Sequence, residues 1–295
     1  MRVPRRHADE VETDAGLVRR LLREQFPEWA ELPLRPVAES GTVNALYRLG
    51  DDFVVRIPRN RPTLWSDLDD EFTWLPRLAP LLPVNVPVPV ARGRPTDRYP
   101  HEWGIFEWLP GENPLPGNVP DSLAEDLAVF VRTLHALDLP GGPDSVRGSD
   151  LARFDEFTRE NLKALEGELD TATAEALWDE ALALHPWPHE PVWIHADVMP
   201  GNFLLERDRF SAVIDWGGSG MGDPAVDVMV AWNTLSGSGR KVFREALDVD
   251  EDTWARGRGW ALWTGLGGIP YYRETFPEFA ANARRTVNEV LDEVA

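Results

Sequence analysis

The 295-residue chain has no cysteine, so it can form neither a disulfide nor a thiolate metal site. No run of about 18 apolar residues occurs, the length a membrane helix needs, and Met1-Arg-Val-Pro-Arg-Arg-His7 lacks the apolar core of a signal peptide. A cytoplasmic protein with no membrane partner is the expectation. The six histidines are expected to offer no ligand spacing such as His-x₃-His, which disfavours a metal hydrolase. Lysine is nearly missing: Lys163 and Lys241 stand against 28 arginines. Positive charge as a whole is in deficit, with 30 basic and 50 acidic residues for a formal net charge of −20. The deficit is uneven. Residues 1–110 carry 15 Arg against 17 Asp and Glu, so −18 falls on residues 111–295. So acidic a half repels nucleic acid and suits a cationic small molecule, although an acidic surface also serves solubility alone.

What is present points to a packed globular chain: 43% hydrophobic residues and 13 Trp, over a length that suits one two-lobed domain or two domains. Asp14 can cap a helix running to about Phe26, with Leu17, Val18, Leu21 and Leu22 on one face and Pro27 as its stop. Residues 34–38, 44–49 and 53–57 read as an antiparallel meander, the last two strands joined by a Gly50-Asp51-Asp52 turn. Ser40-Gly41-Thr42 could lay backbone N–H groups on phosphates or be an ordinary hairpin turn. Arg56 interrupts an apolar strand and needs a partner if buried; Glu71, in a helical segment that Pro76 should kink, is a candidate. Residues 84–90 read as a Pro-punctuated edge strand or connector, and Trp103–Leu109 as a strand.

The Pro/Gly/Asn-rich run 110–120 is a natural boundary between residues 1–110 and 111–295. Beyond it the pattern turns helical. Residues 122–137 follow a cap at Asp121 or Ser122, and 151–184 read as two acidic helices. Asp223-Pro224 should open another helix, and three more fall near 239–247, 252–266 and 276–294. Between them, residues 192–194, 203–205 and 212–214 read as short strands that gather Asp197, Asn202 and Asp215, with 216–222 as a glycine loop. One carboxylate to receive a proton, and an Asn–Asp pair of oxygens for a hard cation, is an inventory for phosphoryl transfer.

His195-Ala-Asp197-Val-Met-Pro-Gly-Asn202, Val213-Ile-Asp215-Trp216 and Gly222-Asp223-Pro224-Ala-Val-Asp227 resemble, in order and spacing, the signature of the aminoglycoside phosphotransferases. The likeness extends upstream through Ser40–Arg56, Glu71–Ala79 and Phe106–Glu112. It implies an α+β, two-lobed, protein-kinase-like fold: a small antiparallel β lobe with one helix, over residues 1–110, and a larger, mainly helical catalytic and acceptor-binding lobe, over 111–295. It implies Asp197 as the catalytic group, Asn202 and Asp215 as Mg²⁺ ligands, and His195 and Asp227 as braces of the loop. Ser40, Gly41, Thr42, Arg56, Glu71, Glu107, Trp108 and Leu109 would serve the nucleotide, ATP or GTP. Arg56 departs from the lysine usual in the family and keeps the charge in a different shape.

The resemblance implies a monomeric or dimeric kinase of a small-molecule hydroxyl, with a cationic aminoglycoside-type antibiotic as first candidate. The same chemistry on a macrolide, sugar, choline or other metabolite is the alternative. For these acceptors Trp254, Trp260, Trp263, Tyr271 and Tyr272 offer stacking faces if they are not core, and Asp155, Glu156, Glu160, Glu274 and Glu278 offer partners for ammonium groups. A nucleotide-binding pseudokinase is the non-enzymatic reading.

Overall fold

The computed structural model describes residues 11–37, 43–59, 68–117 and 119–294. The chain divides into two compact units, one of Met1–Leu81 with Asn85–Pro110, the other of Leu82–Val84 with Gly111–Ala295.

In the first unit, α1 (Ala15–Gln25) starts where the Asp14 carboxylate accepts the Leu17 N–H at 2.6 Å, satisfying one of the free donors of the first turn. Its buried face is Leu17, Val18, Leu21 and Leu22. Five strands follow: β1 (Leu34–Pro36), β2 (Asn44–Leu49), β3 (Phe53–Pro58), β4 (Pro89–Gly93) and β5 (Trp103–Glu107), with α2 (Leu68–Leu78) between β3 and β4. All pair antiparallel in the order β1-β2-β3-β5-β4. Gly50 takes φ +62 in the turn between β2 and β3, a left-handed conformation that glycine adopts without steric cost. One face of the sheet packs on α1 through Tyr47, Leu49, Val55, Ile57, Trp103 and Ile105. The edge strand β4 begins only at Pro89, later than the expected 84–90. α2 continues through Pro76 to Leu78, so the proline falls in its last turn.

The second unit holds α3 (Asp121–His135), α4 (Asp155–Ala164), α5 (Thr171–Ala183), β6 (Val192–Ile194), β7 (Phe203–Glu206), β8 (Arg209–Val213), β9 (Gly220–Gly222), α6 (Ala225–Val228), α7 (Val230–Asn233), α8 (Gly237–Leu247), α9 (Glu251–Tyr272) and α10 (Pro277–Asp292). Three expectations are corrected. The cap position of α3 belongs to Pro120, whose preset φ turns the chain into the helix without a side-chain acceptor. The stretch read as a glycine loop contains β9, which pairs with β6, while β7 pairs with β8 as a separate hairpin. α9 runs six residues past the expected Leu266, to Tyr272.

The length of α9 follows from burial on nearly every side. Trp254, Trp260, Leu262, Leu266 and Ile269 are all core, and α10, α6, α5 and α4 pack around the helix. Trp254 and Trp260 are therefore not open stacking faces, whereas Tyr271 is exposed. Among the described residues no helix is long and apolar enough to cross a membrane.

Register makes one glycine a sharp test of the sheet. Gly93 on β4 lies opposite Trp103, and a Cβ there would stand 1.9 Å from the indole. Gly93→Ala should cost about 1–3 kcal/mol or more through overpacking. Gly237→Ala, where nothing lies within 4 Å, should be near neutral. Urea unfolding of both variants measures the contrast.

Candidate functional site

β6 leads into a tight loop whose second residue, Ala196, is held at φ +65, which costs a residue with a Cβ about 1–2 kcal/mol. Asp227, fully buried near the start of α6, holds the loop in that shape. Its carboxylate accepts the His195 N–H at 3.0 Å and the Ala196 N–H at 2.7 Å, and His135 Nε2 lies 3.1 Å from Oδ2. Below this loop the His195 ring is buried edge-on to Trp216, with Nε2 3.1 Å from the Ile214 carbonyl, to which it donates. Burial pushes the His195 pKa down against the pull of Asp227, Asp197 and Asp215, which favours the neutral imidazole, and the ring lies wholly out of solvent.

Asp197 and Asn202 are joined directly. The Asn202 amide nitrogen donates to the Asp197 carbonyl at 2.9 Å and to its Oδ2 at 2.8 Å. Both amide hydrogens are thereby used, and among the described residues the Asn202 Oδ1 meets no protein donor. The 3-10 turn Pro200–Asn202 is tied from outside by Asn113, whose Nδ2 lies 2.9–3.1 Å from the carbonyls of Pro200, Gly201 and Phe203. Asn233 donates to the Val198 carbonyl at 2.9 Å. The β7–β8 hairpin then returns the chain so that Ile214 N–H donates to the Asn202 carbonyl at 2.8 Å, which sets Asp215, at φ +62, beside Asn202.

The donor set fits a hard cation that shares its ligands with a phosphate. Asn202 Oδ1 is an oriented amide oxygen and Asp215 an adjacent carboxylate, the oxygen chemistry that Mg²⁺ prefers. Among the described residues no group of three or more His, Asp or Glu gathers into a cage. His185 and His189 do stand at a His-x₃-His spacing, but Pro186-Trp187-Pro188 between them is irregular, so they are not on one helix face.

Arg147 is a site residue that sequence reading missed. It sits in the 3-10 turn Val146–Gly148, within a Gly/Pro/Ser-rich stretch, and its Nη1 pairs with Asp197 Oδ1 and also donates to the Ala196 carbonyl at 3.2 Å. Its guanidinium stands 5.6 Å from the centre of the Trp263 ring. Asp197 and Arg147 are each about one-fifth exposed, so both reach solvent.

In the first unit, Arg56 and Glu71 are both buried and meet at 2.6 Å, so neither is a solvated surface residue. The Arg56 guanidinium also lies 4.6 Å from the centre of the Phe106 ring. At the end of β5 the Glu107 N–H donates to the Val88 carbonyl and the Trp108 N–H to that of Asp52, while the Trp108 ring carries the Arg48 guanidinium at 4.6 Å. Of the three residues expected at the purine, only Leu109 keeps an N–H with no protein acceptor among the described residues. Ser40, Gly41 and Thr42 lie outside the described residues.

An antiparallel five-stranded sheet in one unit, and a helical second unit carrying this loop, define an α+β, kinase-like phosphotransferase. The model of the Phosphotransferase enzyme family matches residues 34–260, and the chain belongs to that family. It is 26% identical over 209 residues to an aminoglycoside 3'-phosphotransferase of Escherichia coli, covering 68% of this chain and 75% of that one. Among solved structures, the GDP complex of wild-type aminoglycoside 2'-phosphotransferase-IIIa superposes with a TM-score of 0.71 at 18% identity, over 96% of this chain and 100% of that one. A macrolide 2'-phosphotransferase from Brachybacterium faecium superposes with a TM-score of 0.58 at 23% identity, over 93% and 98%.

The neutral His195 gives the fold a definite acid response. Its folded pKa lies below the ordinary 6.5, so below that pH the unfolded chain binds a proton that the folded chain does not. Stability should fall by up to about 1.4 kcal/mol per pH unit on this account, levelling off at the lowered folded pKa. His195→Gln keeps an N–H for Ile214 and should remove that share. Its denaturation midpoints should be less sensitive to acid than those of the wild type below about pH 6.5.

Proposed function

We propose that the chain transfers the γ-phosphoryl group of ATP or GTP to a hydroxyl of a small molecule. The acceptor oxygen attacks the γ-phosphorus, its proton passes to the Asp197 carboxylate, and the β–γ bridging P–O bond breaks to release the nucleoside diphosphate. The observation that carries this reading is the Asp197–Asn202 pair: one amide orients the proton acceptor with its nitrogen and offers its oxygen to a cation. Mg²⁺, held by Asn202 and Asp215, would neutralise phosphate charge as it develops. Residues 1–110 would serve the nucleotide, with Ser40, Gly41 and Thr42 covering phosphates, Arg56 held by Glu71 as their cation, and the backbone of Glu107–Leu109 meeting the purine through Leu109. Residues 111–295 would carry catalysis and acceptor binding.

An aminoglycoside-type acceptor is favoured by the relatives named for that activity and by the formal −18 on residues 111–295, which draws polycations. The fold shared with a macrolide phosphotransferase keeps that acceptor class as a second reading. On either reading the protein would be an antibiotic-modifying enzyme, acting in the cytoplasm.

Asp197→Asn keeps the shape and removes the proton acceptor. Nucleotide-dependent addition of one phosphate to a panel of aminoglycosides and macrolides, followed by mass spectrometry, should fall about 10²–10⁴-fold in kcat, with nucleotide affinity little changed. Wild-type rates in this variant would refute the role of Asp197. Tight nucleotide binding by the wild type with no phosphate on any acceptor would favour a pseudokinase.

A further inference from the structure

The catalytic loop His195–Asn202 contains neither Lys nor Arg, and its carboxylate has a cation delivered from about fifty residues earlier in the chain. The backbone that delivers it is well anchored. Ser145 Oγ donates to the Gly218 carbonyl at 2.8 Å, the Ser145 N–H to Met221, and the Asp223 N–H to the Gly148 carbonyl at 2.9 Å. Gly148 is packed so closely on β6 and β9 that a Cβ would stand 2.5 Å from Ile194 Cδ1 and 2.7 Å from the Gly222 Cα. Arg147 is therefore built into the same β6–β9 frame as Asp197 and cannot leave by a shift of its own turn. The indole of Trp263 beneath it gives the guanidinium a second hold.

A hydroxyl that gives its proton to Asp197 must come within hydrogen-bond distance of that carboxylate, and so within a few ångströms of the guanidinium. Groups on the carbons next to that hydroxyl then meet a fixed positive charge. Hydroxyl and ether oxygens can accept from the guanidinium, whereas an ammonium is repelled at short range even though the surrounding half of the chain is acidic. Attraction at long range and repulsion at the reacting centre act on different parts of a polycation.

We propose that Arg147 is a specificity-determining residue that directs phosphoryl transfer to hydroxyls whose neighbouring carbons bear hydroxyl or ether oxygen instead of ammonium. The proposal rests on the reading of Asp197 as the proton acceptor. It narrows the acceptor to a neutral polyol face, which a cationic antibiotic presents on the part of its ring system away from the amines.

The test uses the full-length chain with Mg²⁺, ATP or GTP, and kanamycin-class aminoglycosides beside analogues in which single amino groups are replaced by hydroxyl. Product sites are mapped by phosphorus NMR and tandem mass spectrometry. Wild type should phosphorylate oxygen-flanked hydroxyls with a kcat/KM at least about tenfold above ammonium-flanked ones, the ratio expected for one like charge nearby. Arg147→Gln should lose that preference, and Arg147→Lys, which keeps the charge, should retain most of it. A wild-type product phosphorylated beside an ammonium, or an unchanged ratio in a folded, nucleotide-binding Arg147→Gln, overturns the proposal while leaving the phosphotransfer reading standing. Nucleotide binding with no phosphate gained by any compound overturns both.

Discussion

The site depends on the carboxylate of Asp227. Two consecutive backbone N–H groups, from His195 and Ala196, converge on it inside the protein, and His135 adds a third contact. Hydrogen bonds to a buried charge are the strong kind, and here they outweigh the left-handed conformation forced on Ala196. That bend points the next residue, Asp197, out to solvent while the residue before the bend, His195, stays sealed beneath. One buried carboxylate thus divides a short loop into an inner, sealed ring and an outer carboxylate that reaches solvent.

From that bend, positioning passes along hydrogen bonds rather than through bulk packing. Asn202 spends both amide hydrogens on Asp197 and leaves its oxygen outward, and its own carbonyl accepts the N–H next to Asp215. Asn113 and Asn233 hold the intervening carbonyls. Asparagine recurs because a neutral amide can satisfy backbone carbonyls without placing another charge beside two carboxylates. Among the described residues Arg147 is the side-chain cation in contact with Asp197, and it sets a positive group beside that carboxylate within an otherwise acidic half.

Much of the fold was legible because it rests on local patterns. The Asp14 cap, the apolar stripe of α1, the glycine turn before β3 and the helical second half all follow from periodicity and turn chemistry. The Asp197, Asn202 and Asp215 cluster was legible because its members lie within twenty residues of one another. What escaped were contacts between residues distant in sequence, and backbone choices that propensity opposes. β9 is a Gly-Met-Gly strand that exists only because β6 pairs with it, and no β-branched run announces it. Arg147 and Asn113 sit in Gly/Pro-rich segments that carry no periodic signal, and a single sequence gives no hint of their partners. The sequence offers Glu71 as a candidate partner for Arg56, and burial makes the pairing compulsory, since an unpaired guanidinium could not stay inside the sheet.

The central claim is that Asp227 shapes the loop that catalyses phosphoryl transfer, and Asp227→Asn tests it most directly. The amide must turn an NH₂ towards one of two backbone N–H donors, so the bend at Ala196 loses a partner while the change in volume is negligible. Steady-state phosphate transfer to the best aminoglycoside or macrolide acceptor, alongside calorimetric nucleotide binding, should show kcat down by about 10²-fold or more, the scale of loss when a catalytic group is misplaced. Nucleotide affinity should stay within about threefold, because binding draws mainly on other residues. Undiminished kcat in this variant would contradict the account.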